Sequence, residues 1–288
     1  MSREGVFSLP DGRRMAYAEY GAGQGRPVLF CHGTPGSRLG ITPGMADSAE
    51  GRGVRLIVPD RPGYGRSDPQ PGRTLAGWAE DAGRLMDGLG IQQFGVVAYS
   101  SGGLYALACA WALAGRVTGV ALASPLAPNL MAPEVAAAMT PVVRESLRQA
   151  RDDSDGLCRG LAPLIGASEQ FFDLLVGSVA PIDREVLIRP GVSEGLQRDC
   201  RESLAQGVVA LVEDFVLAVG DWGFAMEAVS TPVAIWQGLA DINTPPAMAD
   251  YLAGRLPRCR FHALPGEGHF CLFSHWTGIL AELEASAG

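Results

Sequence analysis

The strongest constraint on the fold is the segment 94–103, which reads FGVVAYSSGG. Its first half is apolar and partly β-branched, as in a buried strand, and the uncharged apolar stretch 104–114 suits a buried helix. Ser100 therefore lies at a very tight strand-to-helix turn. Such a turn needs small residues two positions before and after the serine, and Ala98 and Gly102 meet this need. The pattern predicts a nucleophilic serine at a helix N-terminus, although an ordinary serine in a crossover has the same local sequence.

Strand-like and helix-like segments alternate along most of the chain, which predicts an α/β fold with a mostly parallel, eight-stranded sheet and helices on both faces. Asp11-Gly12 predicts a hairpin between the first two strands. In a parallel sheet of this kind, ligands bind beyond the carboxyl ends of the strands, where Ser100 lies. The predicted strands are 6–9, 13–20, 27–31, 54–58, 94–99, 117–124, 232–236 and 258–264.

The pattern changes from strand-like to helical between about residues 128 and 229. We expect a core formed by residues 1–127 and 230–288, with residues 128–229 inserted before the penultimate strand as a helical cap over the ligand-binding edge. The alternative is a set of decorating helices. Within this region, the apolar spacing of residues 193–220 predicts one long helical segment.

A serine nucleophile needs a base, and histidine is the usual one. His269 follows the last predicted strand in a glycine-rich loop, at the same end of the sheet as Ser100. His32 also lies at that end, but directly before a glycine loop, where it would support the loop backbone. His262 and His275 fall inside a strand and a helix, where a packed or surface histidine is the simpler interpretation.

The base needs a carboxylate to orient it, and Asp241 follows the penultimate strand. The chain order Ser, Asp, His, each after a strand, favours Asp241 over other acids. Asp221 lies in the helical region and Asp250 inside a helix. Asp60 precedes the serine and is interpreted as a loop-bracing residue.

Several motifs together resemble the α/β-hydrolase family. They are the segment around Ser100, with Ala98 in place of the first glycine of Gly-x-Ser-x-Gly, the HGTPG loop at 32–36, the DRPGYGRS segment at 60–67, Asp241 and Gly268-His269. The resemblance covers most of the chain and identifies it as similar to the capped, esterase-like serine hydrolases. It implies a catalytic triad of Ser100, Asp241 and His269.

The resemblance also implies an oxyanion hole made of two backbone N–H groups. One belongs to Thr34, which follows the His-Gly pair, and the other to Ser101, which follows the nucleophile. Side-chain substitutions at Thr34 or Ser101 should therefore be milder than at Ser100. The Thr34 hydroxyl has a second possible role, as an added contact to the oxyanion or the substrate.

Composition excludes several other functions. The net charge of -8 and the lack of a basic patch argue against a nucleic-acid partner, and no apolar run is long enough for a membrane span. The six cysteines lack metal-site spacing, so we expect no metal, no cofactor and a reducing, cytoplasmic environment. Oligomeric state is left open by the sequence.

We expect a serine hydrolase that cleaves a carboxylic ester or a related acyl bond of a small-molecule substrate through an acyl-enzyme, with a pocket for a mid-sized apolar acyl or aromatic group. Thioesterase, acyltransferase, lactonase and C–C hydrolase activities use the same triad and stay open, as does a non-hydrolytic binding or biosynthetic protein. Haloalkane dehalogenases and epoxide hydrolases of this fold carry aspartate in place of Ser100. Candidates to face the substrate, with core packing as the alternative for each, are Phe171, Phe172, Trp222, Phe224 and Met226.

Overall fold

The computed structural model describes residues 2–128, 130, 132–165, 172–173, 176–177 and 179–286. The strands are β1 (Arg3–Ser8), β2 (Arg14–Gly21), β3 (Arg26–Cys31), β4 (Val54–Pro59), β5 (Phe94–Tyr99), β6 (Val117–Ala123), β7 (Val233–Gly238) and β8 (Cys259–Leu264). They form one eight-stranded sheet in the order β1-β2-β4-β3-β5-β6-β7-β8. Only the β1–β2 and β2–β4 pairs are antiparallel, so the predicted sheet is confirmed.

The helices are α1 (Pro43–Gly51), α2 (Leu75–Gly88), α3 (Gly102–Ala112), α4 (Pro133–Ala138), α5 (Pro141–Asp152), α6 (Ser154–Ile165), α7 (Pro181–Leu187), α8 (Val192–Ser203), α9 (Val209–Val219), α10 (Pro246–Ala253) and α11 (Cys271–Ser286). A short 3-10 turn spans Met226–Ala228. Helices α4 to α9 all lie between β6 and β7, at the position where the sequence predicts the helical insertion.

Each face of the sheet carries its own apolar core, because successive side chains of a strand point to opposite faces. In β3, Leu29 and Cys31 pack with residues of α2 and α3, whereas Val28 and Phe30 pack with residues of α1 and α11. The sheet is therefore covered on both sides. Because both faces are occupied, the loops and the helices α4 to α9 meet at the ends of the strands.

One prediction within the helical region was wrong. Residues 193–220 do not form a single helical segment but the two helices α8 and α9, with a turn at residues 204–208. Helix α8 ends at Ser203, and Gly207 in the following turn has a φ of +102°, a backbone conformation that glycine adopts without steric cost and that a right-handed helix does not contain. Both helices contact the loop after β3, α8 through Asp199 and Ser37 and α9 through Asp214 and Thr34.

Two further observations concern the lengths of the helices and the state of the cysteines. Within the described ranges, no helix combines the length and the apolar character that crossing a bilayer requires. The six cysteines are all present as free thiols.

Candidate active site

Ser100 occupies a strained turn between β5 and α3. Its φ is +56°, in the left-handed region that non-glycine residues rarely adopt. The turn is tied down by the Ser100 N–H, which donates to the Ala123 carbonyl at 2.9 Å, and by the Gly103 N–H, which donates to the Ser100 carbonyl at 3.0 Å. This geometry holds the serine side chain at the start of α3, as the sequence predicts.

Close backbone approach brings the loop after β3 beside this turn. A Cβ atom on Gly102 would lie 2.1 Å from the Cys31 carbonyl oxygen, so only glycine allows this contact. Thr34 and Ser101 consequently line the same cavity as Ser100. Among the described residues, neither the Thr34 N–H nor the Ser101 N–H has a hydrogen-bond partner, so both are available to a ligand.

His269 and Asp241 form a buried pair. The His269 Nδ1 lies 2.9 Å from Asp241 Oδ2, and the Thr244 hydroxyl donates to the same Oδ2 at 2.7 Å. Asp241 Oδ1 accepts from the backbone N–H groups of Asn243 at 2.8 Å and Thr244 at 2.9 Å. This carboxylate is therefore ionised, fixed in place and aimed at the imidazole ring.

Asp241 and His269 shift each other's pKa in the direction that favours the charged form of each group. Burial opposes the charge on Asp241, but the His269 charge and hydrogen bonds from His269 and Thr244 lower the pKa of the carboxyl. Burial also opposes the charge on His269, but Asp241, and then Asp183, raise the pKa of the imidazole above its usual value. The geometry thus favours a histidine that accepts a proton.

The other histidines have structural surroundings. His32 is buried, its Nδ1–H donates to the Gly33 carbonyl at 2.9 Å, and its Nε2 accepts from the Arg61 N–H at 3.3 Å. Burial, followed by the charge of Arg61, lowers its pKa well below the usual value. His262 lies in β8 and His275 in α11, where both rings pack against Trp236.

The other acids are also accounted for. Asp60 accepts from the Arg38 N–H at 2.5 Å and the Arg66 N–H at 2.9 Å, so it braces its loop as the sequence indicates. Asp221 is exposed and accepts from the Gly223 N–H at 2.9 Å. Asp250 is exposed on α10. None of the three contributes to the cavity that contains Ser100.

Ser100 and His269 share one cavity of about 190 Å³, and part of its lining comes from the helical region. Its lining is mostly apolar, and the described lining residues include no lysine or arginine. A larger, more open hollow of about 360 Å³ lies between α1 and α11, but it contacts neither residue. The apolar side chains around the smaller cavity are Leu126, Val142, Val143, Leu147, Leu161, Phe172, Val176, Val179, Leu187, Leu196, Leu211, Phe215 and Phe270.

Three of the aromatic and methionine candidates for substrate contact belong to the core instead. Trp222, Phe224 and Met226 pack into the apolar cluster on the α2–α3 side of the sheet, and the Phe224 ring stacks on Trp111 at 5.1 Å. Their segment follows α9 and runs back toward β7, away from the cavity. Phe172 does line the cavity, and Phe171 lies outside the described residues.

A buried charge cluster next to Thr34 was not predicted from the sequence. Asp214, on α9, is fully buried and contacts two arginines of the core, Arg61 Nη2 at 2.5 Å and Arg73 Nη2 at 2.6 Å. It also accepts hydrogen bonds from the hydroxyls of Tyr64 and Tyr105. Burial opposes the charge, yet the two arginines hold the pKa of Asp214 well below its usual range.

This cluster determines the orientation of the Thr34 side chain. The Thr34 hydroxyl donates to Asp214, accepts from Arg61 Nη2 at 3.0 Å, and lies 2.6 Å from the Ser101 hydroxyl, which then donates to it. Arg61 also donates to the Gly33 carbonyl at 2.8 Å. The Thr34 hydroxyl is therefore committed to Asp214, whereas no described group accepts a hydrogen bond from the Thr34 backbone N–H.

A signal for this cluster is present in the sequence. Asp214 interrupts the apolar run 208–219 together with only one other charge, Glu213, and a charge inside such a run indicates a buried ion that needs a partner. The partners lie far away in sequence, so the pairing itself is not readable. For metals, the described part of the chain contains no group of three or more His, Cys, Asp or Glu side chains able to hold an ion.

Comparisons with known proteins agree with this fold. A family model described as alpha/beta hydrolase fold matches residues 26–153. The chain is 27% identical over 267 residues to a non-heme haloperoxidase of Rhodococcus erythropolis, with 90% of each chain covered. It is 38% identical over 125 residues to the dihydrolipoyllysine-residue acetyltransferase component of the acetoin cleaving system of Cupriavidus necator, covering 42% of this chain and 32% of that protein.

For several of the curated relatives that it matches at higher identity, the chain spans only between 32% and 46% of their length. Among solved structures, it is similar to a thermophilic esterase of Thermogutta terrifontis, with a TM-score of 0.74, 22% identity, and coverage of 99% of this chain and 100% of that one. The sheet order, the turn at Ser100 and the likeness to solved structures all point the same way: the chain has the α/β-hydrolase fold, and residues 26–153 match the model of that family.

Proposed function

We propose that this protein is a serine hydrolase that cleaves a carboxylic ester or a related acyl bond through an acyl-enzyme. One observation carries the proposal: Ser100, on a strained turn, shares an apolar cavity with His269, whose Nδ1 lies 2.9 Å from the buried Asp241. The similarity to a 2-hydroxymuconate semialdehyde hydrolase of Pseudomonas putida, 42% identical over 91 residues, adds support for hydrolysis as the reaction class.

In the proposed mechanism, Ser100 Oγ attacks the acyl carbon and its proton passes to His269 Nε2, the ring nitrogen that Asp241 leaves free. The carbonyl oxygen becomes an oxyanion held by the N–H groups of Thr34 and Ser101. The C–O bond then breaks, and the imidazolium gives its proton to the departing alcohol. Water, deprotonated by His269, attacks the acyl-enzyme and releases the acid and Ser100.

The cavity supports an uncharged substrate with a small apolar acyl group. Its volume of about 190 Å³ is below the roughly 300–1,000 Å³ of pockets for drug-sized ligands. Burying a carboxylate beside its apolar walls would be costly, since no described lining residue is a lysine or arginine to pair with it. Short-chain esters are therefore the first substrates to test, and anionic esters should be poor ones.

We propose that residues 128–229 act as the cap of this site. The support is that α5, α8 and α9 all contribute side chains to the cavity wall, such as Leu147, Leu196 and Leu211. In this role the helices exclude water from the acyl-enzyme and determine which acyl groups enter. Thioester, lactone and C–C substrates, and transfer to an acceptor other than water, would use the same groups and belong in the same screen.

The decisive experiment is intact mass spectrometry after incubation with a fluorophosphonate, together with a short-chain nitrophenyl ester assay, on wild type and Ser100→Ala. We expect one covalent adduct and turnover in wild type, and neither in the variant. A well-folded wild-type protein that gives no adduct and no turnover would contradict the hydrolase proposal. The cavity would then be a binding site without acyl-enzyme chemistry.

The choice of acid has its own test in a matched pair of substitutions, Asp241→Asn and Asp250→Asn. The first removes the charge that orients His269 and should lower kcat by roughly 10⁴, as loss of the triad aspartate does in a serine protease. The second removes an exposed carboxylate from α10 and should leave kcat unchanged. Equal effects of the two substitutions would show that Asp241 is not the orienting acid.

A further inference from the structure

A second buried carboxylate contacts the loop that carries His269, and it comes from the helical region. Asp183 lies on α7 and is 1% exposed. Its Oδ2 accepts from the His269 N–H at 3.0 Å, and its Oδ1 accepts from the Phe270 N–H at 2.9 Å. The hydrogen-bond partners of Asp183 among the described residues are these two backbone N–H groups. Both oxygens of this carboxylate thus accept hydrogen bonds from the backbone of the loop that contains His269.

The loop is shaped to admit this carboxylate. A Cβ atom on Gly268 would lie 2.4 Å from both Asp183 carboxylate oxygens. Gly268 is not among the glycines with positive φ, so the close approach of Asp183, and not an unusual backbone conformation, is what requires glycine here. In the Gly268-His269 pair, His269 is therefore the proposed base, and Gly268 leaves the space that the Asp183 carboxylate occupies.

We propose that Asp183 is a positioning residue for His269: it anchors the backbone of the base from the helical region and adds a second negative charge that stabilises the imidazolium. The inference rests on the proposed role of His269 as the base. It gives α7 a function in catalysis as well as in covering the cavity. It also makes the position of the base depend on how the helical region docks on the core.

Other groups around His269 have separate roles. Asp241 contacts the ring of His269, whereas Asp183, on α7, contacts the backbone of His269. Burial lowers the pKa of His269, but Asp241 and then Asp183 raise it, with a net rise. Burial also raises the pKa of Asp183 itself, against its two backbone hydrogen bonds. The remaining polar or titratable groups near His269 are Thr244, Ser124, Tyr99 and Cys271.

The test compares wild type with Asp183→Asn, Gly268→Ala and the double variant. Asparagine keeps the shape but removes the charge and turns an N–H₂ group toward one of the backbone N–H groups. The alanine Cβ would lie 2.4 Å from both carboxylate oxygens, so it displaces the carboxylate. The control is Glu185→Gln, which removes an exposed carboxylate from the same helix, α7.

The first readout is the pKa of His269 from an NMR titration of the imidazole protons, which is practical because the chain has four histidines. The His269 signal is assigned as the one missing in His269→Gln. We expect the pKa of His269 to fall in Asp183→Asn and to stay at the wild-type value in Glu185→Gln. A purely structural role for Asp183 would not move this pKa.

The second readout is kcat on the best ester substrate. Misplacing a catalytic group by about 1 Å costs up to roughly a hundredfold, so we expect kcat to fall about ten- to a hundredfold in both single variants. Because both substitutions break the same contact, the double variant should lose little more than either single one. KM should change far less than kcat.

The outcomes separate this inference from the proposed function. A folded Asp183→Asn with an unchanged His269 pKa and unchanged kcat would overturn the positioning role. If Asp183→Asn does not fold, the same two readouts on Gly268→Ala decide the question. A wild type that does not react with the fluorophosphonate contradicts the hydrolase proposal alone, because the NMR titration still reports whether Asp183 acts on His269.

Discussion

The Asp214 carboxylate lies 2.5 Å from the Arg61 guanidinium, and both side chains are fully buried where α9 meets the loop after β4. Arg61 in turn donates to the carbonyl of Gly33, one residue before Thr34. The ion pair of Asp214 and Arg61 thereby joins the helical region to the proposed oxyanion loop. Removing water from such a pair is costly, and good geometry with further hydrogen bonds is needed to offset the cost.

Asp214→Asn should destabilise the protein by about 3–5 kcal/mol, because it leaves Arg61 and Arg73 buried without their counter-charge. Urea unfolding measures this loss as a lower midpoint with an unchanged slope. The matched control is Asp221→Asn, an exposed carboxylate just beyond α9, which should keep the wild-type midpoint. A loss below about 1 kcal/mol in Asp214→Asn would mean that the cluster is not stabilised by this charge.

Asp199 should make stability fall as pH rises. Burial raises its pKa to about 7, against its hydrogen bonds from Ser37, whereas in the unfolded chain the pKa returns to about 3.9. The folded state therefore holds a proton that the unfolded state loses first. This contribution to stability is complete below about pH 4 and is lost as pH rises through about 7.

Asp199→Asn cannot titrate, so its free energy of unfolding should depend less on pH between about 4 and 8 than that of wild type. Urea unfolding at several pH values provides the measurement. Asp47→Asn, on the exposed side of α1, serves as the control and should follow the wild-type curve. Parallel curves for wild type and Asp199→Asn would show that Asp199 is already ionised in the folded state at low pH.

Gly102→Ala should abolish most activity and lower stability. The new Cβ would lie 2.1 Å from the Cys31 carbonyl and 2.7 Å from the His32 carbonyl, so β3 and its loop must move away from Ser101. The two proposed oxyanion donors would then separate, and loss of one such donor costs about 10²–10³ in kcat. Gly160→Ala, on an exposed position of α6 with open space around it, should instead be neutral or stabilise by about 0.5–1 kcal/mol.

Thr34→Val should mainly affect stability. The variant loses the hydroxyl that donates to the buried Asp214, a hydrogen bond to a charged group worth about 1.5–3 kcal/mol, but keeps the backbone N–H. We expect kcat to fall by less than the roughly 10²–10³ that loss of an oxyanion donor costs. Thr34→Ser keeps the hydroxyl and should behave like wild type in both assays. A kcat loss in Thr34→Val as large as in Ser100→Ala would assign the hydroxyl a direct catalytic role.

Local sequence patterns were sufficient for the sheet and for the positions of the proposed catalytic residues. Ser100, Asp241 and His269 each follow a strand, and carboxyl ends of parallel strands meet at one edge of a sheet, so their proximity follows from the strand assignments alone. The break between α8 and α9 was missed, because the apolar spacing continues through a glycine turn. Trp222, Phe224 and Met226 were ambiguous for a related reason: an aromatic or methionine side chain suits a core and a cavity wall equally well.

The sequence by itself thus determined the α/β-hydrolase fold and the identity of the groups proposed for the reaction. Both depend on short segments, in which the pattern of neighbouring residues is sufficient to predict a strand, a helix or a turn. Only the tertiary structure decided how the helical region is attached to the core. Asp183, Asp199 and Asp214 come from three different helices and contact His269, Ser37 and Arg61. Such contacts depend on burial and charge pairing between distant segments, and one-dimensional patterns do not record which segments meet.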